Sequence, residues 1–203
     1  TFEVFDAKKG SVWRVLHDSG ELLLVGLGDT PDTRTVYKSL REFSFKNMSL
    51  LSEEVGLFVD EALLGAIPQP EIKSASKASV KRIVDLETFT EVCVNGILTG
   101  TYRLDQRNSD ENMHPLTSIT LLYSDSDDLE INLDRLKSAS ESGLILADAQ
   151  KTAMQLVNIP SNWQSPQQFT DVALESAAKW GYDCEVYDEN RLKNEGFELL
   201  LAV

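Results

Sequence analysis

Glu21-Leu-Leu-Leu-Val-Gly-Leu-Gly28 is a nearly continuous apolar run ended by glycines. Such a run predicts a strand buried on both faces, as in an α/β sheet. After Asp29-Thr-Pro31, the residues Val36, Leu40 and Phe43 recur at spacings of four and three, which predicts a helix. Val55-Gly-Leu-Phe-Val59 reads as a second buried strand. Together they predict a βαβ-like unit with parallel strands and a right-handed crossover.

Further along, Pro68 to Lys81 is rich in Ser, Lys and Pro and reads as a loop with a mobile tip. Leu86 to Thr101 reads as a helix with Phe89, Val92, Cys93, Gly96, Ile97 and Gly100 along one side. Two glycines there predict close packing against a neighbour, because Gly otherwise costs ~1 kcal/mol inside a helix. Asp105 to Pro115 is polar and turn-rich, Leu116 to Tyr123 reads as a strand, and Ser124-Asp-Ser-Asp-Asp128 breaks it.

The second half is more regular. Ile145, Leu146, Ala149, Ala153, Leu156 and Val157 form one apolar stripe of a long helix. Ser165 predicts an N-cap, Pro166 suits the first helical position, and Gln168 completes a capping box. Phe169, Val172, Ala173, Ala177 and Trp180 would line that helix's buried face, with Gly181 ending it. Asp183 to Asp188 alternates like a strand, Glu189 to Glu195 reads as a short helix closing at Gly196, and Glu198 to Val203 reads as another strand. That strand meets the end of the sequence part-way, and the chain does not start with Met, so a longer parent protein is expected.

The composition, 42% hydrophobic and 26% charged over 203 residues, is that of a globular protein. A net charge of −14 opposes nucleic-acid binding, which needs clustered Lys and Arg; here they read as scattered, with no basic stripe. Cys93 and Cys184 stand far apart without a neighbouring His, which predicts two free thiols and neither a disulfide nor a zinc site. No apolar run approaches the ~18 residues of a membrane span, and the N-terminus does not read as a signal peptide. A soluble cytoplasmic protein is expected.

Several blocks resemble the leucyl aminopeptidase (cytosol aminopeptidase) family in order and spacing. Leu22 to Gly28 is similar to an early family strand and its glycine turn. Asn95-Gly-Ile-Leu-Thr-Gly-Thr-Tyr-Arg-Leu-Asp105 resembles the family's Gly-x-x-x-Gly-x-Tyr-x-Phe-Asp segment, with Leu104 for the aromatic residue. Ala153 to Asn162 resembles its Arg-Asp-Leu-x-Asn-x-Pro-x-Asn junction, with Met154 and Gln155 replacing the charged pair. Asp188 to Val203 resembles its short helix and following Gly-Met-x-x-x-Leu-Ala-Val strand, with Phe197 for Met.

The resemblance implies an α/β fold: a macro-domain-like mixed sheet flanked by helices, then a linker helix and the opening α/β elements of a second, truncated domain. The expected boundaries are 1–133 for the first domain, 134–157 for the linker helix and 158–203 for the start of a catalytic peptidase domain. It also implies a parent metallo-aminopeptidase, assembled as a homohexamer, that cleaves N-terminal residues from peptides. Two divalent ions, manganese or zinc, would activate the attacking water there. The family's ligands lie in a Lys-x-x-x-x-Asp segment ahead of Thr-Gly-Gly and in an Asn-Thr-Asp-Ala-Glu-Gly-Arg motif. Neither occurs in this chain, so no catalytic, cofactor-binding or metal-binding residue is assigned and the segment itself is expected to be inactive.

Other candidates have plainer readings. Gly26-Leu-Gly28 invites a dinucleotide site, but Pro31 stands where the third glycine belongs, so a strand-end turn is preferred. Asp125, Asp127, Asp128 and Glu130 lack the central Gly and distal Glu of a calcium loop and read as a solvated loop. His17 and His114 are isolated in sequence and read as surface residues, and Ser161 and Ser165 lack a Gly-x-Ser-x-Gly elbow. Asn158, Pro160 and Asn162 read as a turn redirecting the chain, with Trp163 and Trp180 packed at a seam between domains. Two alternatives remain: a stand-alone macro-like module binding an ADP-ribose-like ligand, and a non-catalytic scaffold.

Overall fold

A computed structural model describes residues 5–18, 20–29, 31–59, 71–73, 79–81, 85–103, 116–123, 132–160, 162 and 164–202. The chain divides into two compact units, Thr1–Ala153 and Met154–Val203.

The first unit opens with β1 (Val12–His17) and β2 (Gly20–Val25), an antiparallel hairpin in which Val12 faces Val25 and His17 faces Gly20. The leucine run is therefore not a strand buried on both faces: Leu22 is 52% exposed, and only the later half of β2 is half-buried. A neighbour close in sequence satisfies its backbone, so the strand does not need a central place in a covered sheet.

Helix α1 (Thr33–Lys46) starts where the Asp32 carboxylate accepts the Thr35 amide at 2.7 Å. Val36, Leu40 and Phe43 are buried, as their spacing predicts. Strand β3 (Glu54–Val59) pairs in parallel with β6 (Ser118–Tyr123), from Glu54 opposite Ser118 to Val59 opposite Tyr123. Among the described residues the parallel pair thus spans the helix after β3, and β2 and β3 are not partners. Nor is β3 buried on both faces: Val55 and Leu57 are half-buried while Phe58 is 57% exposed.

Within the stretch read as a loop, β4 (Glu71–Lys73) and β5 (Ser79–Lys81) pair antiparallel; residues 74–78 lie outside the described set. Helix α2 (Leu86–Gly100) begins at Asp85, whose carboxylate accepts the Thr88 amide at 2.8 Å. The core is a cluster of Val36 and Leu40 from α1 with Phe89, Cys93 and Ile97 from α2. Leu57 from β3 and Ile119 and Tyr123 from β6 pack on it.

Helix α3 (Leu133–Asn158) is longer than its apolar stripe implies and is turned the other way. Leu136, Ala139, Gly143 and Ala147 are buried, whereas Ile145 is 45% and Val157 84% exposed. Ala149 and Ala153 are exposed as well, and Leu156 is only half-buried. Closeness of approach explains the reversal. A β-carbon on Gly143 would stand 2.7 Å from the Glu91 carbonyl oxygen of α2, so only the small-residue face brings the helices together.

The second unit is helical among its described residues. In α4 (Pro166–Trp180) the capping box between Ser165 and Gln168 is formed, and Gly181 closes the helix at φ +71°. Of its expected buried face only Ala177 is buried; Val172 and Ala173 are half-buried, and Phe169 and Trp180 are exposed. α5 (Glu189–Asn194) is capped by Asp188 and followed by Gly196 at φ +80°. Asp183 to Asp188 forms no strand, and Glu198–Leu201 is a short helix, α6. Extended segments need backbone partners, and short apolar runs carry no periodicity that separates helix from strand. None of the described helices is long and apolar enough to cross a membrane.

Candidate functional site

A polar cluster of the first unit lies where α3 meets α1 and α2. The Tyr37 hydroxyl donates to Gln150 Oε1 at 2.9 Å. Thr99 Oγ1 lies 2.9 Å from Asn95 Oδ1 and 3.2 Å from Gln150 Oε1, and its single proton favours the shorter contact. Beside it, Lys151 Nζ donates to Thr101 Oγ1 at 3.1 Å. Thr101 is the C-cap of α2, so the ammonium stands at the negative end of that helix. Burial lowers the Lys151 pKa, and Asp148 partly restores it.

Glycines bring the same helices together. A β-carbon at Gly96 would stand 2.9 Å from the Tyr37 carbonyl oxygen, and one at Gly100 would stand 2.6 Å from Ser44 Cβ. The close packing expected from two glycines on one side is realised. Sequence reading overlooks Tyr37, Gln150 and Lys151. The spacing of four in Ala139, Gly143 and Ala147 is visible in the sequence, but beside the larger apolar stripe it does not by itself say which side of α3 is packed.

The outer side of α1 carries Arg34, Lys38, Arg41 and Lys46 against one carboxylate, Glu42, and all five are exposed. The basic residues are therefore not merely scattered. Arg34, Lys38 and Arg41 fall at helical spacing along one ridge, a grouping hidden by an overall charge of −14. Beside the ridge is an open cleft of about 320 Å³ lined by Lys38, Arg41, Glu42, Phe45, Thr99 and Tyr102. The Arg103 guanidinium lies 4.5 Å from the Phe45 ring centroid and donates to the Phe45 carbonyl at 2.7 Å. A second, apolar groove of about 270 Å³ runs between α2, β6 and α3, lined among others by Leu98, Ile119 and Leu144.

The residues singled out from sequence do not converge. Gly26 and Gly28 follow β2 and pack against residues 7–11: the Gly26 amide donates to the Ser11 carbonyl at 2.8 Å, and the Gly28 amide to Ala7 at 3.0 Å. With those amides engaged, the turn presents no phosphate cradle. Ser165 is the helix cap already described. Asn158 ends α3 and is exposed, as are Pro160 and Asn162; Trp180 is 45% exposed. His17 ends β1. The His17 side chain, His114, Asp125, Asp127, Asp128, Glu130, Ser161 and Trp163 lie outside the described residues.

Cys93 and Cys184 are both free, Cys93 buried and Cys184 partly so, and burial pushes the Cys93 thiol far up. Among the described residues no three His, Cys, Asp or Glu side chains are placed to hold a metal ion. The donor set described does not fit a two-metal centre.

No family model matches the chain, but individual proteins do. It is 30% identical over 136 residues to a probable cytosol aminopeptidase of Solibacter usitatus, covering 65% of this chain and 27% of that protein. A probable cytosol aminopeptidase of Geotalea uraniireducens is 27% identical over 183 residues, 90% of this chain and 33% of its own. One of Chlorobium phaeobacteroides is 24% identical over 193 residues, 92% and 35% respectively. Over most of its length the chain is similar to cytosol aminopeptidases, the leucyl aminopeptidase family.

The fold agrees. The bottromycin maturation enzyme BotP, solved in complex with Mn, superposes with a TM-score of 0.63 at 23% identity, over 94% of this chain and 35% of that one. At that identity the likeness speaks for the α/β fold alone. The chain spans 24–35% of the length of the curated family members compared with it.

Proposed function

We propose that this chain is the N-terminal part of a two-metal leucyl aminopeptidase, a cytoplasmic homohexamer that removes N-terminal residues from peptides. Residues 1–133 would form the macro-like domain, 134–157 the linker helix, and 158–203 the opening of the catalytic domain. In the complete enzyme, manganese or zinc ions would supply Lewis-acid activation of the attacking water. This segment supplies none of their ligands. Its own work is architectural: the α1–α2–α3 packing holds the helix that leads toward the catalytic part.

One observation carries the reading. Aminopeptidase relatives match up to 92% of this chain, yet the chain covers about a third of such a relative. The ligand motifs expected of the family occur nowhere in the 203 residues. A leucyl-amide hydrolysis assay on the purified 203-residue chain, with added manganese or zinc, tests the reading. No turnover is expected, and metal-dependent turnover would overturn the assignment of an inactive segment. Calorimetric titration with ADP-ribose tests the rival macro-like module; saturable binding would favour it.

A further inference from the structure

We propose that the basic ridge of α1, with the aromatic cleft beside it, docks an acidic peptide segment carrying an aromatic or long apolar side chain next to a carboxylate. Charge complementarity is the first argument. α1 with its N-cap carries four cations, Arg34, Lys38, Arg41 and Lys46, against two carboxylates, Asp32 and Glu42, on a chain whose net charge is −14, so it holds a local excess of positive charge.

The second argument is the cleft's shape and lining. Its volume of about 320 Å³ suits one or two side chains, not a folded domain. Phe45, 57% exposed and backed by the Arg103 guanidinium, lines the cleft together with Tyr102, while Lys38 in the same lining supplies a cation for a carboxylate. Arg103 is already tied to the Phe45 carbonyl, so the aromatic wall is held in place before anything binds.

A nucleic acid fits less well. Glu42 sits within the lining, 3.7 Å from Lys46, and a long phosphate backbone would meet the repulsion of the whole acidic chain. A short peptide meets the ridge alone. The cleft shares Thr99, Tyr102 and Arg103 with a family-like block, but Arg34, Lys38 and Arg41 lie outside every such block, so failure of peptide binding leaves the aminopeptidase reading standing.

The test is isothermal titration of the 203-residue chain with acetyl-Asp-Glu-Phe-Asp-Glu-amide at low and at physiological salt. We expect saturable binding that weakens with salt, falls about fivefold or more in Lys38→Glu, and falls again when the peptide's Phe is replaced by Ser. Glu42→Gln should tighten binding, a gain that a misfolded variant cannot mimic. Thermal melts of each variant check folding. Absence of saturation up to roughly 5 mM peptide, or affinity unchanged in both variants, overturns the proposal. So does Lys38-dependent binding of poly-uridylate without binding of the peptide, which would make the ridge a nucleic-acid surface.

Discussion

Gly100 of α2 lies directly on the Arg41 carbonyl of α1, so the two helices meet main chain to main chain. A side chain there has nowhere to go, since its β-carbon would also stand 2.6 Å from Ser44 Cβ. Gly100→Ala should therefore destabilise the first unit by about 1–3 kcal/mol, although alanine is the better helix former by ~1 kcal/mol. Urea denaturation followed by circular dichroism checks the sign; a stabilised variant would mean the helices are farther apart than described.

Tyr37 and Gln150 link α1 to α3 through one hydrogen bond of 2.9 Å. Tyr37→Phe should cost about 1 kcal/mol and Gln150→Ala about 1–2 kcal/mol. Because both remove the same bond, the double variant should lose less than the two single losses added together. Strict additivity in a double-mutant cycle would show that the pair does not interact.

Lys151 gives a pH dependence of definite sign. Burial holds its folded-state pKa below the ordinary 10.5, so between the two values the unfolded chain binds more protons than the folded one. Stability from this group rises as pH climbs through the folded pKa toward 10.5 and is lower at neutral pH. Denaturation midpoints of wild type and Lys151→Gln across the alkaline range isolate the effect. The wild type should gain on the variant as pH rises, and a loss would reverse the assignment.

Cys93 and Cys184 should react differently with a thiol reagent. Cys93 is buried within the core cluster and its thiolate is strongly disfavoured, while Cys184 is partly exposed. Native protein should release one equivalent of chromophore quickly and the second only on unfolding in guanidinium. Two equivalents released quickly from native protein would mean the core around Cys93 opens readily.

Local features were legible in the sequence to the extent that local physics decides them. The helix carrying Val36, Leu40 and Phe43, the capping box of Ser165 and Gln168, and the closing turns at Gly181 and Gly196 all stand where the residues place them. Partnerships were not legible. The leucines of β2 read as a doubly buried strand but form half of a hairpin with β1. The final Leu199-Leu200-Leu201 run reads as a strand but is helical. In each case the residues specify an apolar segment, and only a neighbour specifies which backbone it bonds to.

The candidate sites divide in the same way. Absence of the expected ligand motifs is a property of the letters and needs no coordinates. The basic ridge required knowing that Arg34, Lys38 and Arg41 share one side of α1, with Phe45 and Tyr102 lining the cleft beside it. The sequence by itself determined an acidic α/β chain with aminopeptidase-like blocks, because composition, capping chemistry and motif order act over a few residues. Tertiary structure alone decided which side of α3 is buried. There the close contact allowed by Gly143 and Ala147 prevailed over the larger apolar stripe, because backbone separation is set by the smallest residues at a contact, and no periodicity in one helix encodes its partner.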